Sequence, residues 1–184
     1  MYGSEDEKYW QDFIDGDFNA LSVLFSHNCK GLMAYGMKIY PDQELVKDAV
    51  QEVFVQLIAM RQKLKQNGNY NGLIYRLLRN KMIDEIKLIN RSKRIDHLIF
   101  SSTDNSEPDA EHQYIDIEDE HKRNNLLTSA LNQLSSHQKE AMHLKFASEL
   151  SYEQIAVVMG INIASSRTLI YRTLKQIRTL VASN

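Results

Sequence analysis

Residues 151–178 read SYEQIAVVMGINIASSRTLIYRTLKQIR, and this stretch decides the fold class. Ser151 followed three residues later by Gln154 is a capping-box pattern, in which each side chain satisfies a backbone N–H at a helix start. Ile155, Ala156, Met159 and Ile161 supply apolar groups for a hinge, with Ala156 small where two helices must approach closely. Gly160 supplies the left-handed backbone of a tight turn. A longer basic helix is then expected from about Ile163 to Leu180, which completes helix-turn-helix spacing. Its outer side carries Ser165, Arg167, Thr168, Tyr171, Arg172 and Lys175, whose guanidinium and hydroxyl groups can reach base edges and phosphates in a major groove. A helical hairpin with a solvated basic face would show the same pattern. Ser166 departs from it, standing where such motifs usually place a branched apolar residue, which predicts looser packing of the second helix.

Working upstream, Ser135 and Gln138 form another capping box, opening a helix with Ala141, Met142, Leu144, Lys145 and Phe146. Before it, Leu126, Leu127, Ala130, Leu131 and Leu134 make one amphipathic stripe, so a C-terminal domain is expected over 122–184. Residues 96–121 hold Pro108, nine acids and no Lys or Arg, which is linker composition, and few contacts should cross it. The N-terminal 1–95 reads as a second helical domain. Helices are expected at Tyr9–Ser26, at Cys29–Tyr40 before Pro41, at Gln43–Leu64 with Asp42 as N-cap, and at Tyr70–Asn90. In the third of these, Val46, Val50, Val53, Leu57 and Leu64 form a core stripe. Strand signals are scarce, so the expectation is an all-α chain of two small domains.

The net charge of −2 conceals a segregation along the chain. Residues 1–60, 61–94, 96–121 and 122–184 carry −6, +8, −9 and +5, which points to two polyanion-facing surfaces separated by an acidic spacer. In the first basic block, Arg76, Arg79, Lys81, Lys87 and Arg91 accompany Asn80, Asp84, Tyr70 and Tyr75. Cations that follow phosphates, mixed with planar and amide groups that take up unpaired bases, suit a single strand. The loop with Gln66, Asn67 and Asn69 could wall a pocket for an extruded base. An exposed basic helix with incidental aromatics is the plainer alternative. On the third helix, Asp48, Gln51, Glu52, Val55 and Gln56 face away from the core stripe, as a protein-docking ridge or as a solvated face.

Several classes are not expected. No secretory signal or run of about 20 apolar residues is present, so the chain is expected in the cytoplasm without membrane insertion. The single cysteine, Cys29, makes no internal disulfide and reads as a small buried side chain; no metal or cofactor is expected. There is no Gly-rich phosphate loop and no His-Glu-x-x-His, and adjacent helix positions aim Asp84 and Glu85 in different directions, so an enzyme is not expected. A regulator that binds duplex DNA without polymerase would share the helix-turn-helix. It would leave the 48–54 and 76–84 segments unexplained.

In order, these pieces resemble the extracytoplasmic-function (ECF) sigma factors of the sigma-70 family over nearly the whole chain. Asp48-Ala-Val-Gln-Glu-Val-Phe54 is similar to the family's polymerase-docking signature, Leu73 to Asp84 to its minus-ten segment, and Leu134 to Arg178 to its minus-thirty-five domain. The resemblance implies a non-enzymatic subunit that binds RNA polymerase core and directs promoter-specific initiation. Asp48, Gln51, Glu52 and Val55 would lie on the helix that grips the largest subunit's clamp helices, with Phe54 beneath in the core. Asn80, Asp84 and the loop with Gln66, Asn67 and Asn69 would read the melted minus-ten strand, while Arg76, Arg79, Lys87 and Arg91 hold its backbone. Ser165, Arg167, Thr168, Tyr171, Arg172 and Lys175 would read the duplex at minus thirty-five. Leu73 stands where the family commonly has Trp. The resemblance further implies that the acidic linker threads the polymerase's polyanion-holding channels, and it adds an anti-sigma protein as a class of partner that nothing in these residues identifies.

Overall fold

The computed structural model describes residues 5–64, 69–99 and 128–182, and every regular element among them is helical. Helix α1 (Glu5–Asp15) opens with Glu5, Asp6 and Glu7, acids that complement the positive end of the helix dipole. It ends at Gly16, whose φ of +119° turns the chain in a way an L side chain resists. Asp17 then caps α2 (Phe18–Ile39), accepting from the Asn19 N–H at 2.8 Å. Two expected helices, Tyr9–Ser26 and Cys29–Tyr40, are thus redrawn. The real break lies at the Gly16-Asp17 pair, and the chain runs through Ser26–Cys29 without interruption because nothing there stops a helix.

Asp42 caps α3 (Gln43–Met60) as expected, accepting from the Leu45 N–H at 3.1 Å. The helix is shorter than the expected Gln43–Leu64, tightening into a 3-10 turn at Arg61–Lys63. There the Arg61 guanidinium donates to the Ile14 carbonyl at 2.9 Å and lies over the Phe18 ring, tying the end of α1 to the end of α3. Helix α4 (Tyr70–Ile99) runs well past the expected Asn90. These four helices enclose Trp10, Phe13, Leu24, Leu32, Tyr35, Val46, Val53, Leu57, Ile74, Leu78 and Met82, all nearly inaccessible to solvent. Each fully buried large apolar side chain among them is worth roughly 1.5–3 kcal/mol of transfer free energy. Cys29, expected to be buried, is half-buried.

The C-terminal part begins with a helical segment, α5 (128–132), followed by α6 (Ser136–Met142), whose Ser135–Gln138 capping box is complete. Helix α6 leads into a wider π turn at His143–Ala147, which periodicity alone does not signal. Helix α7 (Tyr152–Met159) starts at the second complete capping box, Ser151–Gln154. It stops at Gly160 with φ +66° and ψ +33°, followed by α8 (Ile163–Ala182). Leu144, Leu150, Ile155, Val158 and Ile170 close the core between them.

The expectation that few contacts cross the spacer is not met. Helix α7 lies against α4, the π turn lies against α2, and the buried apolar residues of both halves form one continuous cluster. The Tyr35 ring stacks on the His143 ring at 5.9 Å between centroids. Neither half alone has an apolar partner for that side of α4, so the two bury it against each other.

Candidate functional site

Helix α4 sorts its polar residues by face. Arg76, Asn80, Asp84, Lys87 and Arg91 recur at intervals of four, four, three and four, and all are exposed, so they line one side of the helix. The Lys87 ammonium meets the Asp84 carboxylate at 2.9 Å in a solvent-exposed pair. Such a pair contributes little to stability and leaves both groups available. Asn69 caps the helix, its Oδ1 accepting from the Gly72 N–H at 3.0 Å, so its carbonyl is committed to the backbone. Gln66 and Asn67 lie outside the described residues.

Arg79 is turned elsewhere. Its Nε donates to Glu140 Oε1 at 2.7 Å and its Nη2 to Oε2 at 3.3 Å, across the boundary between the two halves. The Tyr35 hydroxyl donates to the same Oε1 at 2.7 Å. Burial, and then the Glu140 charge, push the Tyr35 phenol far above its ordinary value, while the hydrogen bonds to Glu140 raise Arg79 further. Lys38 and Lys139 line the adjoining cleft of about 360 Å³.

The aromatics expected beside this helix do not face solvent. Tyr70 and Tyr75 are 5% exposed. Tyr70 stacks on Trp10 and donates to the Asp6 carboxylate at 2.8 Å, and burial followed by that bond pushes its phenol well above the usual range. Tyr75 packs against Tyr35. Both tyrosines belong to the interior, where core packing claims a ring that helical spacing alone cannot assign to either side.

Helix α3 presents Asp48, Gln51, Glu52, Val55 and Gln56 to solvent, while Phe54 is 6% exposed beneath them. Val55 is 64% exposed, and Ile58, one turn on, adds an apolar group at 44% that the sequence reading did not single out. Lys81 of α4 joins this ridge to the neighbouring helix by pairing with Glu52 and, at 2.8 Å, with Glu85. Those bonds, Glu52's first, raise the Lys81 ammonium above its usual value. An apolar pair ringed by acids and amides is the composition of a small docking surface.

Helix α8 is laid across the C-terminal half with Ser166, Ile170 and Thr173 inward and Ser165, Arg167, Thr168, Tyr171, Arg172 and Lys175 outward, all six exposed. Its first turn is held by Asn162, whose Oδ1 accepts from the Ser165 N–H at 2.7 Å. Ser166 is fully buried, and its hydroxyl has the Tyr152 carbonyl at 3.0 Å and the Ile163 carbonyl at 2.8 Å as acceptors. The looser packing expected there is replaced by a polar tie between α7 and α8. Arg167 reaches Glu153 at 3.2 Å and lies over the Tyr152 ring. The exposed arc thus offers guanidinium, hydroxyl, phenol and ammonium groups from one rigid helix.

The sequence reading missed Glu140, Tyr35 and His143. The only trace of the first was an acid in a basic block. No group of three or more His, Cys, Asp or Glu among the described residues could hold a metal, and no helix among them is long and apolar enough to cross a membrane.

Residues 24–92 match the family description Sigma-70 region 2, and residues 124–177 match Sigma-70, region 4; together they span about two thirds of the chain. Among curated proteins, the chain is similar to the ECF RNA polymerase sigma factor SigM of Bacillus subtilis (strain 168), with 24% identity over 140 residues, 76% of this chain and 81% of SigM. Its fold is similar to that of CnrH in complex with the cytosolic domain of CnrY, with TM-score 0.65, 16% identity, and 98% and 99% of the two chains covered. It is also similar to the sigma factor RpoE in complex with the anti-sigma factor NepR from Bartonella quintana, with TM-score 0.60, 22% identity, and 88% and 96% covered.

Proposed function

Because this chain belongs to the sigma-70 family, of which it carries region 2 and region 4, we infer that it is a sigma factor of the ECF type that directs RNA polymerase to promoters. The observation that carries this reading is the order of three outward surfaces on one chain: the ridge of α3, the polar stripe of α4, and the cationic arc of α8.

The division of labour follows from their chemistry. Residues 1–95 serve as the polymerase-docking and minus-ten domain, 96–121 as an acidic linker, and 122–184 as the minus-thirty-five domain. Asp48, Gln51, Glu52 and Val55, extended by Ile58, dock on the clamp helices of the largest polymerase subunit. Arg76, Lys87 and Arg91 hold the strand backbone, with Arg79 once it leaves Glu140, and Asn80 and Asp84, with Gln66, Asn67 and Asn69 before α4, select among unpaired bases. Ser165, Arg167, Thr168, Tyr171, Arg172 and Lys175 enter the major groove upstream. Phosphate contacts from the cations set position and orientation, and the amide, hydroxyl and guanidinium contacts to base edges set sequence preference.

Promoter melting by this route needs no covalent chemistry, because each base held outside the stack offsets part of the unpairing cost. We assign the chain no catalytic step, place its work in the cytoplasm beside the polymerase, and expect an anti-sigma partner, as RpoE has in its complex with NepR. The test is retention of purified core polymerase by the tagged chain, followed by run-off transcription from a randomised promoter library. Expected is stable retention and selection of one two-part motif. Failure to bind core, or binding without start-site choice, refutes the reading.

A further inference from the structure

A second cleft, apart from the one beside Arg79, opens where His27 and Gly31 of α2 and Asn71 and Tyr75 of α4 meet residues 147–150. Its volume of about 320 Å³ has room for about ten non-hydrogen atoms at the roughly 30 Å³ that a water occupies. The walls are fixed. The Ser148 N–H donates to the His143 carbonyl at 3.0 Å, the Leu150 N–H to the Leu144 carbonyl at 3.0 Å, and the Lys145 ammonium to the Leu150 carbonyl at 3.2 Å. Between these ties Glu149 has a φ of +54°, a left-handed conformation that L side chains rarely adopt and that recurs at binding sites. At Gly31 a Cβ would come within 2.6 Å of the Tyr75 hydroxyl, so the lack of a side chain there lets Tyr75 lie against α2.

The polar groups on the α2–α4 wall are aligned by a hydrogen-bond chain behind it. The buried Asp6 carboxylate meets His27 Nδ1 at 2.7 Å on one oxygen and accepts from the Tyr70 hydroxyl at 2.8 Å on the other. A carboxylate accepts, so Nδ1 carries the ring proton and His27 Nε2 is left as an acceptor. At the far end, burial raises the Tyr70 phenol most, and the Asn71 side chain opposes that rise, as an amide N–H donated to the phenol oxygen does. The amide orientation is thereby set. Asn71 is 6% exposed, and its Oδ1 is buried with no partner. On the 147–150 segment, Ser148 Oγ is buried without a partner as well. Folded chains leave few such groups unsatisfied, and two at one cleft call for an occupant.

The lining contains one acid, Glu149, and no Lys or Arg, whereas the cleft beside Arg79 is bordered by Lys38, Lys139 and Arg79. Asn71 Oδ1 and His27 Nε2 accept, and the Ser148 hydroxyl can do so. An ammonium group has three donors, no acceptor and a positive charge, which is the complement of this wall. We propose that the cleft binds a small organic ammonium ion, with Asn71 Oδ1, Ser148 Oγ and His27 Nε2 as acceptors and Glu149 as counter-charge. None of these four residues belongs to the three outward surfaces assigned above, so the site adds a small-molecule ligand to a chain otherwise read as binding macromolecules. A bound amine stabilises the folded chain in step with its concentration.

The test titrates the full chain with 1,4-diaminobutane by calorimetry, with its neutral isostere 1,4-butanediol in parallel. Physiological ionic strength screens loose attraction to the acidic 96–121 spacer. Expected is saturable binding of one diamine per chain and no measurable binding of the diol. Glu149→Gln and Ser148→Ala should each weaken the diamine by on the order of tenfold. Glu118→Gln, the same charge change within the spacer, should weaken it by less than about twofold. In isotope-labelled parent chain, the side-chain amide signals of Asn71 should shift with the same midpoint, which locates the ligand without any substitution. Diol bound as tightly as diamine overturns the ammonium assignment. A parent chain that binds neither, equal losses from Glu149→Gln and Glu118→Gln, or Asn71 signals that stay in place overturn the site.

Discussion

Gly160 offers the cleanest quantitative handle on the helix-turn-helix. Its φ of +66° and ψ of +33° sit in the left-handed region, and a Cβ built there would meet nothing within 4 Å. Replacing it with alanine therefore adds no collision with neighbours, and the whole cost is backbone conformation. An L residue in this region loses roughly 1–2 kcal/mol. Alanine also restricts the unfolded chain, which returns about 0.4–1 kcal/mol, so the net loss is about 1 kcal/mol. In a chain of this size that lowers the melting temperature by about 2–4 °C. Gly160→Asn should cost less, because a short polar side chain tolerates this conformation. Calorimetry on the parent, Gly160→Ala and Gly160→Asn reads the series. Gly160→Ala as stable as the parent, or Gly160→Asn losing as much as Gly160→Ala, would refute the backbone argument. A loss above about 3 kcal/mol would do so too, since it exceeds what a left-handed alanine can cost.

Arg172→Ala should weaken binding to the upstream duplex by about 1–3 kcal/mol. Asn80→Ala should leave that binding intact and reduce open-complex formation, read by permanganate reactivity of unpaired thymines; an equal loss of duplex affinity in both would favour a duplex-binding regulator. Val55→Asp, at a position 64% exposed, should change stability by no more than about 0.5 kcal/mol. It should weaken core polymerase binding by about tenfold in a fluorescence titration, equivalent to about 1.4 kcal/mol. His143 supplies a pH dependence. Burial, and then the Lys38 ammonium, hold its imidazole below the ordinary value of 6.5, so the folded chain resists a proton that the unfolded chain accepts. Its contribution is present above pH 6.5 and is lost as pH falls below it toward the lowered folded value. Around it stand Tyr35 and Lys38 from α2, with Lys139 and Glu140 on its own side. The urea midpoint of the parent should therefore fall more steeply between pH 7 and pH 5 than that of His143→Phe, and parallel slopes would remove His143 from the account.

Much of the architecture is written in neighbouring residues, because caps and turns are local events. Ser135, Ser151, Asp42 and Gly160 act on backbone groups within a few positions of themselves, so their roles could be read directly from spacing. The outward stripes of α3 and α8 were legible for the same reason: a helical period separates two faces wherever one of them is apolar. Where local signals compete, the reading slipped. The Gly16-Asp17 pair ends one helix and starts another, yet it lies inside an apolar pattern that runs through it.

What the chain's own order could not decide is which remote surface covers which face. Tyr70 and Tyr75 carry the same polar tip on a flat ring whether they meet a nucleobase or a core, and only the arrival of Trp10, Asp6 and Tyr35 settles them as interior. Arg79 looks like its basic neighbours until Glu140, 61 positions away, closes on it. Sequence by itself determined the helical class, the caps at Asp42, Ser135, Ser151 and Gly160, and the segregation of charge. Tertiary structure alone decided that the two modules share one core and that Arg79 is held by Glu140, because burial is a property of pairs of surfaces and not of either surface alone.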